Sequence, residues 1–428
     1  MLVEIMFLFI VSASIGAMII GERYLKLNNI SNNAFYGIST IIYIVTRFVS
    51  LFVIFFLLNR QGPGDLFTTF YPQALHALSG KIIYLEFDSA FSPGFPYLLG
   101  LAIFILNHYL TIILFYIIFD FLTLVISVKF ILPLLKINNL RLFLWFYLFC
   151  PLGWIFVVYW VQDDIILAFV ITLSLILILN KKENETIVLF GLSFVFTKLL
   201  SLIFFLPIFT LFSRPIRGII LTGTIIIIAY LPLILIGVDI FYPIKAGTLE
   251  PIGTNIWVIL GRSGLNLGIL PNILVLIVLA TLFIFFLPNI NLIKSGFFTR
   301  IRNFLTNLTP EARIMMFALI FMILAQKSLS FYLEITVVFF ILIYFRISQH
   351  EMISNTTFKF SKEKILFFFS LFMISLVYYP NDALRYDTIF SITWILNISF
   401  VILTTISLIA LLYVILTHEA FKIEKLHQ

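Results

Sequence analysis

Long apolar stretches recur along the whole chain and are separated by short polar segments. A helix needs about 20 apolar residues to cross the hydrocarbon core of a bilayer. Stretches of about that length lie at 2–20, 37–58, 109–128, 142–160, 164–180, 216–238, 269–288, 329–347 and 391–416. Shorter runs, which suit tilted, re-entrant or interfacial helices, lie at 94–106, 186–200, 201–213, 312–326 and 365–379. The pattern predicts an all-α polytopic membrane protein with about 11–13 transmembrane or re-entrant helices.

Composition supports this class. Of 428 residues 62% are hydrophobic and only 11% are charged, with a mean hydropathy of +1.14, which excludes a water-soluble domain of this size. We expect a single membrane domain over residues 1–428. Its first apolar run, 2–20, lacks a basic leader and is interpreted as an additional retained helix rather than a cleaved signal.

The rare reactive residues exclude several kinds of site. The single cysteine, Cys150, rules out an internal disulfide, and the five scattered histidines show no metal-ligand spacing. We therefore predict no structural metal, although a divalent cation held by Asp65 and Asp163 stays open. The net charge of +7 is better explained by cations at the cytoplasmic face than by nucleic-acid binding.

Positive charge sets the predicted sidedness of the loops. Of the 27 lysines and arginines, 19 fall in segments assigned to the cytoplasm, as the positive-inside rule expects. These segments are 21–36, 129–141, 181–185, 214–217, 289–313, 346–364 and 417–428. The loops at 59–93, 161–163, 239–268 and 380–390 then lie outside and carry most of the aromatic and acidic candidates for chemistry.

Asp65 opens the first candidate site, in the external segment 59–108. Gly62, Pro63 and Gly64 end the preceding helix, and apolar residues at helical spacing then predict an amphipathic helix that ends at Gly80. Asp65 would lie at its N-cap, where the alternative to a catalytic role is ordinary helix capping.

A second pair of acids, Asp163 and Asp164, follows a helix that Pro151 and Gly153 should weaken. They either cap the next helix, because acids favour helix N-termini, or face a polar site at the mouth of a helix bundle.

Several cations interrupt apolar stretches near the outer side, notably Lys198 and Lys327, while Arg262 lies in an outer loop. Lysines in such positions either snorkel to the interface or hold an anion such as a lipid-linked phosphate. Glu334 follows Lys327 by seven residues, which would place both on one helix face, and Arg47 is expected to face the bundle. Asp120 has no partner that the sequence identifies.

In order along the chain, these features resemble the polytopic glycosyltransferases that use lipid-linked sugars. The likeness is to the catalytic subunits of GPI mannosyltransferases and to prokaryotic mannosyltransferases that use polyprenyl-phosphate mannose. The matching residues are Asp65, Tyr71, Ala74, Gly80, Tyr84, the stretch FSPGFPYLLG at 91–100, Pro151, Leu152, Gln162, Asp163, Asp164, Lys198, Leu206, Pro207, Lys327, Ser330, Phe331 and Tyr332. The family's aromatic-Pro-Pro-Leu is broken here into Pro93-Gly94-Phe95-Pro96, and Cys150 stands where the family has asparagine.

The resemblance implies an enzyme that moves a hexose, mannose in the family, from a polyprenyl-phosphate sugar to a glycan or glycolipid acceptor on the outer face, with inversion. It implies a catalytic role for Asp65, and we add Asp163 and Asp164 as catalytic candidates. Tyr71, Lys198, Arg262, Lys327 and Tyr332 are the predicted substrate-binding residues.

Two other classes remain open. A transporter or flippase of lipid-linked saccharides would also place charges inside a helix bundle, but no inverted repeat is evident and the polar residues favour one face. A non-catalytic subunit of a membrane glycosylation complex is the third. The composition favours a prokaryotic plasma membrane over the endoplasmic reticulum.

Overall fold

The computed structural model describes residues 2–25, 27–57, 65–243, 252–253, 255–265, 268–287, 296–353, 361–376 and 392–423. Within them the chain is almost entirely helical, which confirms the predicted all-α polytopic membrane class. The predicted external loop at 380–390, and parts of those at 59–93 and 239–268, lie outside the described residues.

The helices among the described residues follow in chain order. They are α1 (Leu2–Arg23), α2 (Asn32–Leu57), α3 (residues 66–78), α4 (Phe95–Phe104), α5 (Leu110–Leu134), α6 (Leu140–Phe149), α7 (Pro151–Tyr159), α8 (Asp164–Leu179), α9 (Glu183–Phe196), α10 (Ser201–Phe209), α11 (Pro215–Leu235), α12 (Ile256–Arg262), α13 (Leu270–Phe286), α14 (Gly296–Thr306), α15 (Pro310–Leu324), α16 (Val337–Ile353), α17 (Lys362–Leu376) and α18 (Ile392–Thr417). A 3-10 turn, Ser330–Thr336, precedes α16, and β1 (Ile252–Gly253) pairs in parallel with β2 (Lys327–Ser328).

Five of the described helical segments are long and apolar enough to cross a membrane: Asn32–Leu57, Leu110–Leu134, Pro215–Leu235, Tyr332–Glu351 and Trp394–Thr417. Helices α6 and α7 together would form a sixth span, bent by 43° where they meet. The bend confirms the predicted weakening at Pro151, which has no N–H to continue the helical ladder.

Local chemistry explains several helix ends. Proline occupies the first turn of α4, α7, α11, α13 and α15, where a missing N–H costs nothing. The side chain of Asn139 accepts a hydrogen bond from the N–H of Leu142 and so begins α6. Gly80, with φ of +79°, lies just beyond the end of α3, where the sequence predicted the helix to stop.

The chain divides into two compact units. The first unit comprises Met18–Phe205 and Phe212–Thr248, and the second comprises Met1–Ala17, Leu206–Leu211 and Leu249–Gln428. The expectation of a single membrane domain stays a prediction.

Close helix packing in the first unit accounts for two of the small residues in the family-like segment. Helix α3 lies against α4, with Ala74 and Ala77 buried. The position of a side chain on Gly100 would be 3.4 Å from the Ala74 carbonyl oxygen and 3.5 Å from the Ala77 methyl carbon. Small residues on both helices therefore allow the backbones to approach closely.

Candidate functional site

A buried ion-pair cluster in the first unit joins three of the predicted site residues. The Lys198 ammonium nitrogen lies 3.0 Å from Oδ1 of Asp163 and 2.8 Å from Oδ1 of Asp164. The side chains are 12%, 2% and 0% exposed, respectively. Lys198 is therefore an ion-pair partner rather than a snorkelling side chain. We call these three residues the Asp–Lys–Asp cluster.

The two acids do not act as ordinary helix caps. Asp163 occupies the N-cap position of α8, and Asp164 is the first helical residue, but the Asp163 side chain makes no capping hydrogen bond. Oδ1 of Asp163 instead accepts a hydrogen bond from Lys198. Oδ2 of each aspartate is buried without a hydrogen-bond partner among the described residues. Buried polar atoms are normally satisfied, so these oxygens are available to a hydrogen-bond donor from outside the chain.

Charge decides what that donor can be. Two carboxylates and one ammonium leave the cluster with one negative charge in excess when all three are ionised. A phosphate at Lys198 would meet this excess charge, whereas a hydroxyl group could donate to either free carboxylate oxygen. The expectation that Lys198 holds the donor phosphate stays a prediction that the cluster's charge does not favour.

The turn that presents the two acids is strained. Helix α7 ends at Tyr159, and Val161 adopts a φ of +52°, which is unfavourable for a β-branched residue. Two hydrogen bonds from Gln162 hold the turn. Its backbone N–H donates to the Phe156 carbonyl oxygen, and its side-chain amide donates to the Trp160 carbonyl oxygen. Backbone strain of this kind is concentrated at functional sites.

Lys198 lies in a break between two helices. Helix α9 ends at Phe196, the backbone of Thr197 turns away with φ of −129° and ψ of −108°, and α10 begins at Ser201. The Ser201 N–H donates to the Lys198 carbonyl oxygen across this break. The lysine therefore extends from irregular backbone, while both adjoining segments are helical.

The loop between α3 and α4 braces the same break through its backbone. The Ser92 N–H donates to the Thr197 carbonyl oxygen at 3.3 Å, and the Gly94 N–H donates to that of Val195 at 2.8 Å. Gly94 is required for this approach, since a Cβ there would lie only 2.8 Å from the Val195 oxygen. Gly94 in the Pro93-Gly94-Phe95-Pro96 stretch thus has a local structural reason.

Phe91 connects the cluster to the predicted catalytic segment. The ammonium of Lys198 lies 5.9 Å from the centre of the Phe91 ring, within the range of a cation–π contact. The same ring lies 5.6 Å from that of Phe70 on α3. The hydroxyl of Tyr84 donates to the Phe91 carbonyl oxygen, and burial raises the pKa of this tyrosine, so it remains a neutral donor.

Asp65 and Tyr71 also belong to the first unit. Asp65 is exposed and occupies the N-cap position before the first π-helical turn of α3, as predicted, without a side-chain capping hydrogen bond. Tyr71 is half-buried, and its hydroxyl donates to the side-chain oxygen of Asn107 at 3.1 Å. Helix α3 therefore offers Asp65 to solvent and, through Phe70, packs against the aromatic ring next to Lys198.

A second buried ion pair explains Arg47 and Asp120. Nε of Arg47 lies 2.9 Å from Oδ2 of Asp120, and both side chains are 0% exposed. The hydroxyls of Tyr43 and Tyr147 also donate to this carboxylate, at 3.0 Å and 2.9 Å. The expectation that Arg47 faces the bundle is confirmed, and Asp120 is the partner that the sequence left unidentified.

The second unit contains the other predicted binding residues. Lys327 begins β2, where it pairs with Ile252, and Tyr332 is almost fully buried in the 3-10 turn before α16. Arg262 is the last residue of α12, and its side chain lies outside the part of the chain that the structure describes. Because regular helix begins only after Lys327, the expectation that Lys327 and Glu334 share one face of a continuous helix is wrong.

Asn255 braces the break that contains Lys327. Its side-chain amide donates to the carbonyl oxygen of Ala325 and to the hydroxyl of Ser328. The indole N–H of Trp257 donates to the carbonyl oxygen of Leu324 at 2.6 Å. Side-chain donors thus take up the carbonyl groups that the end of α15 leaves without helical partners.

No group of three or more histidine, cysteine, aspartate or glutamate residues with metal-binding geometry occurs among the described residues. Asp163 and Asp164 supply carboxylate oxygens, which a divalent cation prefers, but Lys198 already provides the positive charge beside them. The arrangement suits hydrogen bonding and proton transfer, and a divalent cation at Asp65 and Asp163 stays a prediction.

Comparison with models of known protein families, with curated proteins and with solved structures gives no match for this chain. The site therefore rests on its own geometry and on the ordered motifs that resemble the lipid-linked-sugar glycosyltransferases.

Proposed function

We propose that this protein is an integral membrane glycosyltransferase that moves a hexose from a polyprenyl-phosphate sugar to a glycan or glycolipid acceptor. Mannose is the sugar that the family resemblance favours, and the outer face of a prokaryotic plasma membrane is the proposed location. The observation that supports this most is the Asp–Lys–Asp cluster, which combines buried charge, helix breaks and unpartnered carboxylate oxygens.

In the proposed reaction, Asp65 takes the proton from an acceptor hydroxyl, because it is the exposed acid of the set. The hydroxyl oxygen forms a bond to the anomeric carbon of the donor sugar. The bond from that carbon to the phosphate oxygen breaks, and polyprenyl phosphate leaves with the electron pair. Attack opposite the leaving group inverts the configuration at the anomeric carbon.

The Asp–Lys–Asp cluster has a different part in this proposal. The free oxygens of Asp163 and Asp164 accept hydrogen bonds from sugar hydroxyls, while the Lys198 ammonium holds both carboxyl groups in position. Tyr71, in the same unit, remains a proposed contact to the acceptor, and Lys327, Tyr332 and Arg262 stay predicted binding residues of the second unit.

The proposal is tested by transfer of labelled hexose to endogenous glycolipid acceptors in membranes containing this chain. The donors are a panel of polyprenyl-phosphate hexoses. We expect Asp65→Asn to abolish transfer and Asp163→Asn to reduce it, with normal protein levels. Asp239→Asn, an acid of another external loop, is the matched control. Full activity of Asp65→Asn would refute its assigned role.

Transport of lipid-linked saccharides is the second candidate, and the broken helices favour it. Discontinuous helices with charged residues at the breaks are typical of secondary transporters, and such breaks adjoin Lys198 and Lys327 here. A fluorescent lipid-linked saccharide that crosses the bilayer of proteoliposomes with its sugar unchanged would favour this candidate over the enzyme.

A further inference from the structure

We propose that the buried Arg47–Asp120 pair is a positioning device: it fixes the bend between α6 and α7, and so the direction in which Asp163 and Asp164 meet Lys198. The inference deepens the proposed function and rests on it for its kinetic test, but not for its structural test.

The pair holds the last turn of α6 at two points. Nη1 of Arg47 donates to the carbonyl oxygen of Leu148 at 2.9 Å. Asp120 accepts a hydrogen bond from the hydroxyl of Tyr147 at 2.9 Å, so consecutive residues of α6 are tied to one ion pair. Arg47 comes from α2 and Asp120 from α5, so the bend is held between two membrane-spanning segments.

The helix needs this support because its own hydrogen-bond ladder stops at this point. Cys150 is extended, with ψ of 117°, and Pro151 has no N–H to donate. The carbonyl groups in the last turn of a helix lack intrahelical donors. Arg47 supplies a donor to Leu148 inside the protein, where water cannot.

The bend leads directly to the acids. Helix α7 departs at 43° from α6 and ends at Tyr159, and the strained turn at Val161 then delivers Asp163 and Asp164. Because the turn and the acids follow directly on α7, a change in the direction of this helix displaces the turn and separates the carboxylates from Lys198.

A charged pair is a costly way to fill a core, because apolar residues of similar size often stabilise a protein as well or better. This suggests the test. The double variant Arg47→Met/Asp120→Leu removes both charges together, so it should fold. It should nevertheless lose the fixed bend, since methionine cannot donate to Leu148.

A matched control lies in the second unit. Arg346 and Glu311 form another buried ion pair. Nε of Arg346 lies 2.5 Å from Oε1 of Glu311, and the two side chains are 4% and 0% exposed. Arg346→Met/Glu311→Leu makes the same chemical change in a different unit. Both double variants are purified in detergent and compared for thermal unfolding.

The structural readout is modification of Asp163 and Asp164 by dicyclohexylcarbodiimide, followed by mass spectrometry of the peptide. Carboxyl groups that lose their ion pair with Lys198 would react faster, by about tenfold. We expect this change in Arg47→Met/Asp120→Leu, whereas the control double variant stays within about twofold of the native rate. Equal rates in the two double variants would overturn the positioning role.

The kinetic readout uses sugar transfer. We expect kcat to fall on the order of 100-fold in the Arg47 double variant, with KM nearly unchanged, because misplaced groups slow the chemical step. If the native protein transfers no sugar, the proposed function fails while the carbodiimide rates still decide this inference. If the double variant does not fold, Arg47→Lys takes its place. Lysine keeps the charge but loses the forked geometry of arginine, and we expect the same changes in the carbodiimide and transfer rates.

Discussion

Replacing Lys198 by methionine would leave Asp163 and Asp164 buried beside each other without their shared cation. With every group ionised, the native cluster has one excess negative charge, the methionine variant would have two, and Asp163→Asn would have none. Stability should follow this order of charge. We expect Lys198→Met to be strongly destabilising and Asp163→Asn to be nearly neutral or stabilising.

The magnitude follows from burial. Removing one partner of a buried ion pair costs about 3–5 kcal/mol, because the remaining charge has no compensation. The acids are 2% and 0% exposed, so Lys198→Met should lie in this range near neutral pH. In Asp163→Asn, Lys198 keeps its ion pair with Asp164, whose Oδ1 lies 2.8 Å away. We therefore expect the free energy of unfolding to change by no more than about 1 kcal/mol.

The assay is reversible unfolding in mixed detergent micelles, followed by tryptophan fluorescence at pH 7.5 and pH 5. Acidification should reduce the effect of Lys198→Met, because protonation removes the unpaired charge. The triple variant Lys198→Met/Asp163→Asn/Asp164→Asn should recover most of the loss at pH 7.5. Equal stability of the native protein and Lys198→Met at both pH values would refute the buried-charge reasoning.

Further predictions concern the close backbone approach at Gly94, the end of α8 at Lys181 and the helix-capping side chain of His418. Gly94→Ala should cost about 1–3 kcal/mol and reduce sugar transfer, since its Cβ would lie 2.8 Å from the Val195 oxygen; unfolding and transfer assays measure both. Lys181→Gly should stabilise by about 1 kcal/mol, measured by unfolding, because Lys181 has φ of +61° at the end of α8. Burial and the neighbouring His350 lower the pKa of His418, so its contribution to stability is present above a pH of about 6.5 and lost on acidification. His418→Asn, which keeps an acceptor for the Ala420 N–H, should weaken this pH dependence of the thermal midpoint.

Controls for these variants come from the same chain. Gly16→Ala introduces a methyl group with nothing within 4 Å, so it should not destabilise. Lys182→Gly changes the residue after Lys181, where φ is −94°, and should give no stabilisation. A loss of stability in Gly16→Ala equal to that in Gly94→Ala, or an equal gain in Lys182→Gly, would contradict the local explanations. An unchanged pH dependence in His418→Asn would contradict the assignment to that histidine.

Much of the helical architecture could be predicted because membrane helices carry their signal in consecutive apolar residues. The span at 216–238 corresponds to Pro215–Leu235, and that at 109–128 to Leu110–Leu134. The helix break at Pro151 was predictable too, because proline removes a hydrogen bond whatever the tertiary context.

The contacts that build the candidate site were less predictable, since they join distant parts of the chain. Lys198 and Asp163 are 35 residues apart, and Arg47 and Asp120 are 73 apart. Hydropathy indicates that a buried charge needs a partner but does not identify it. Val161 gave no signal, because its left-handed backbone is imposed by the turn around it rather than favoured by valine. The interpretation of Lys327 and Glu334 was wrong because seven-residue spacing aligns side chains only in a continuous helix.

The most direct test of the central claim measures sugar transfer by the purified protein in proteoliposomes. Labelled polyprenyl-phosphate hexoses are the donors and membrane glycolipid extracts supply the acceptor. We expect transfer by the native protein, and a loss on the order of 100-fold in Asp164→Asn at unchanged folding stability. Absence of transfer from every donor, or equal rates in the native protein and Asp164→Asn, would contradict the assignment of the Asp–Lys–Asp cluster to a glycosyltransferase site.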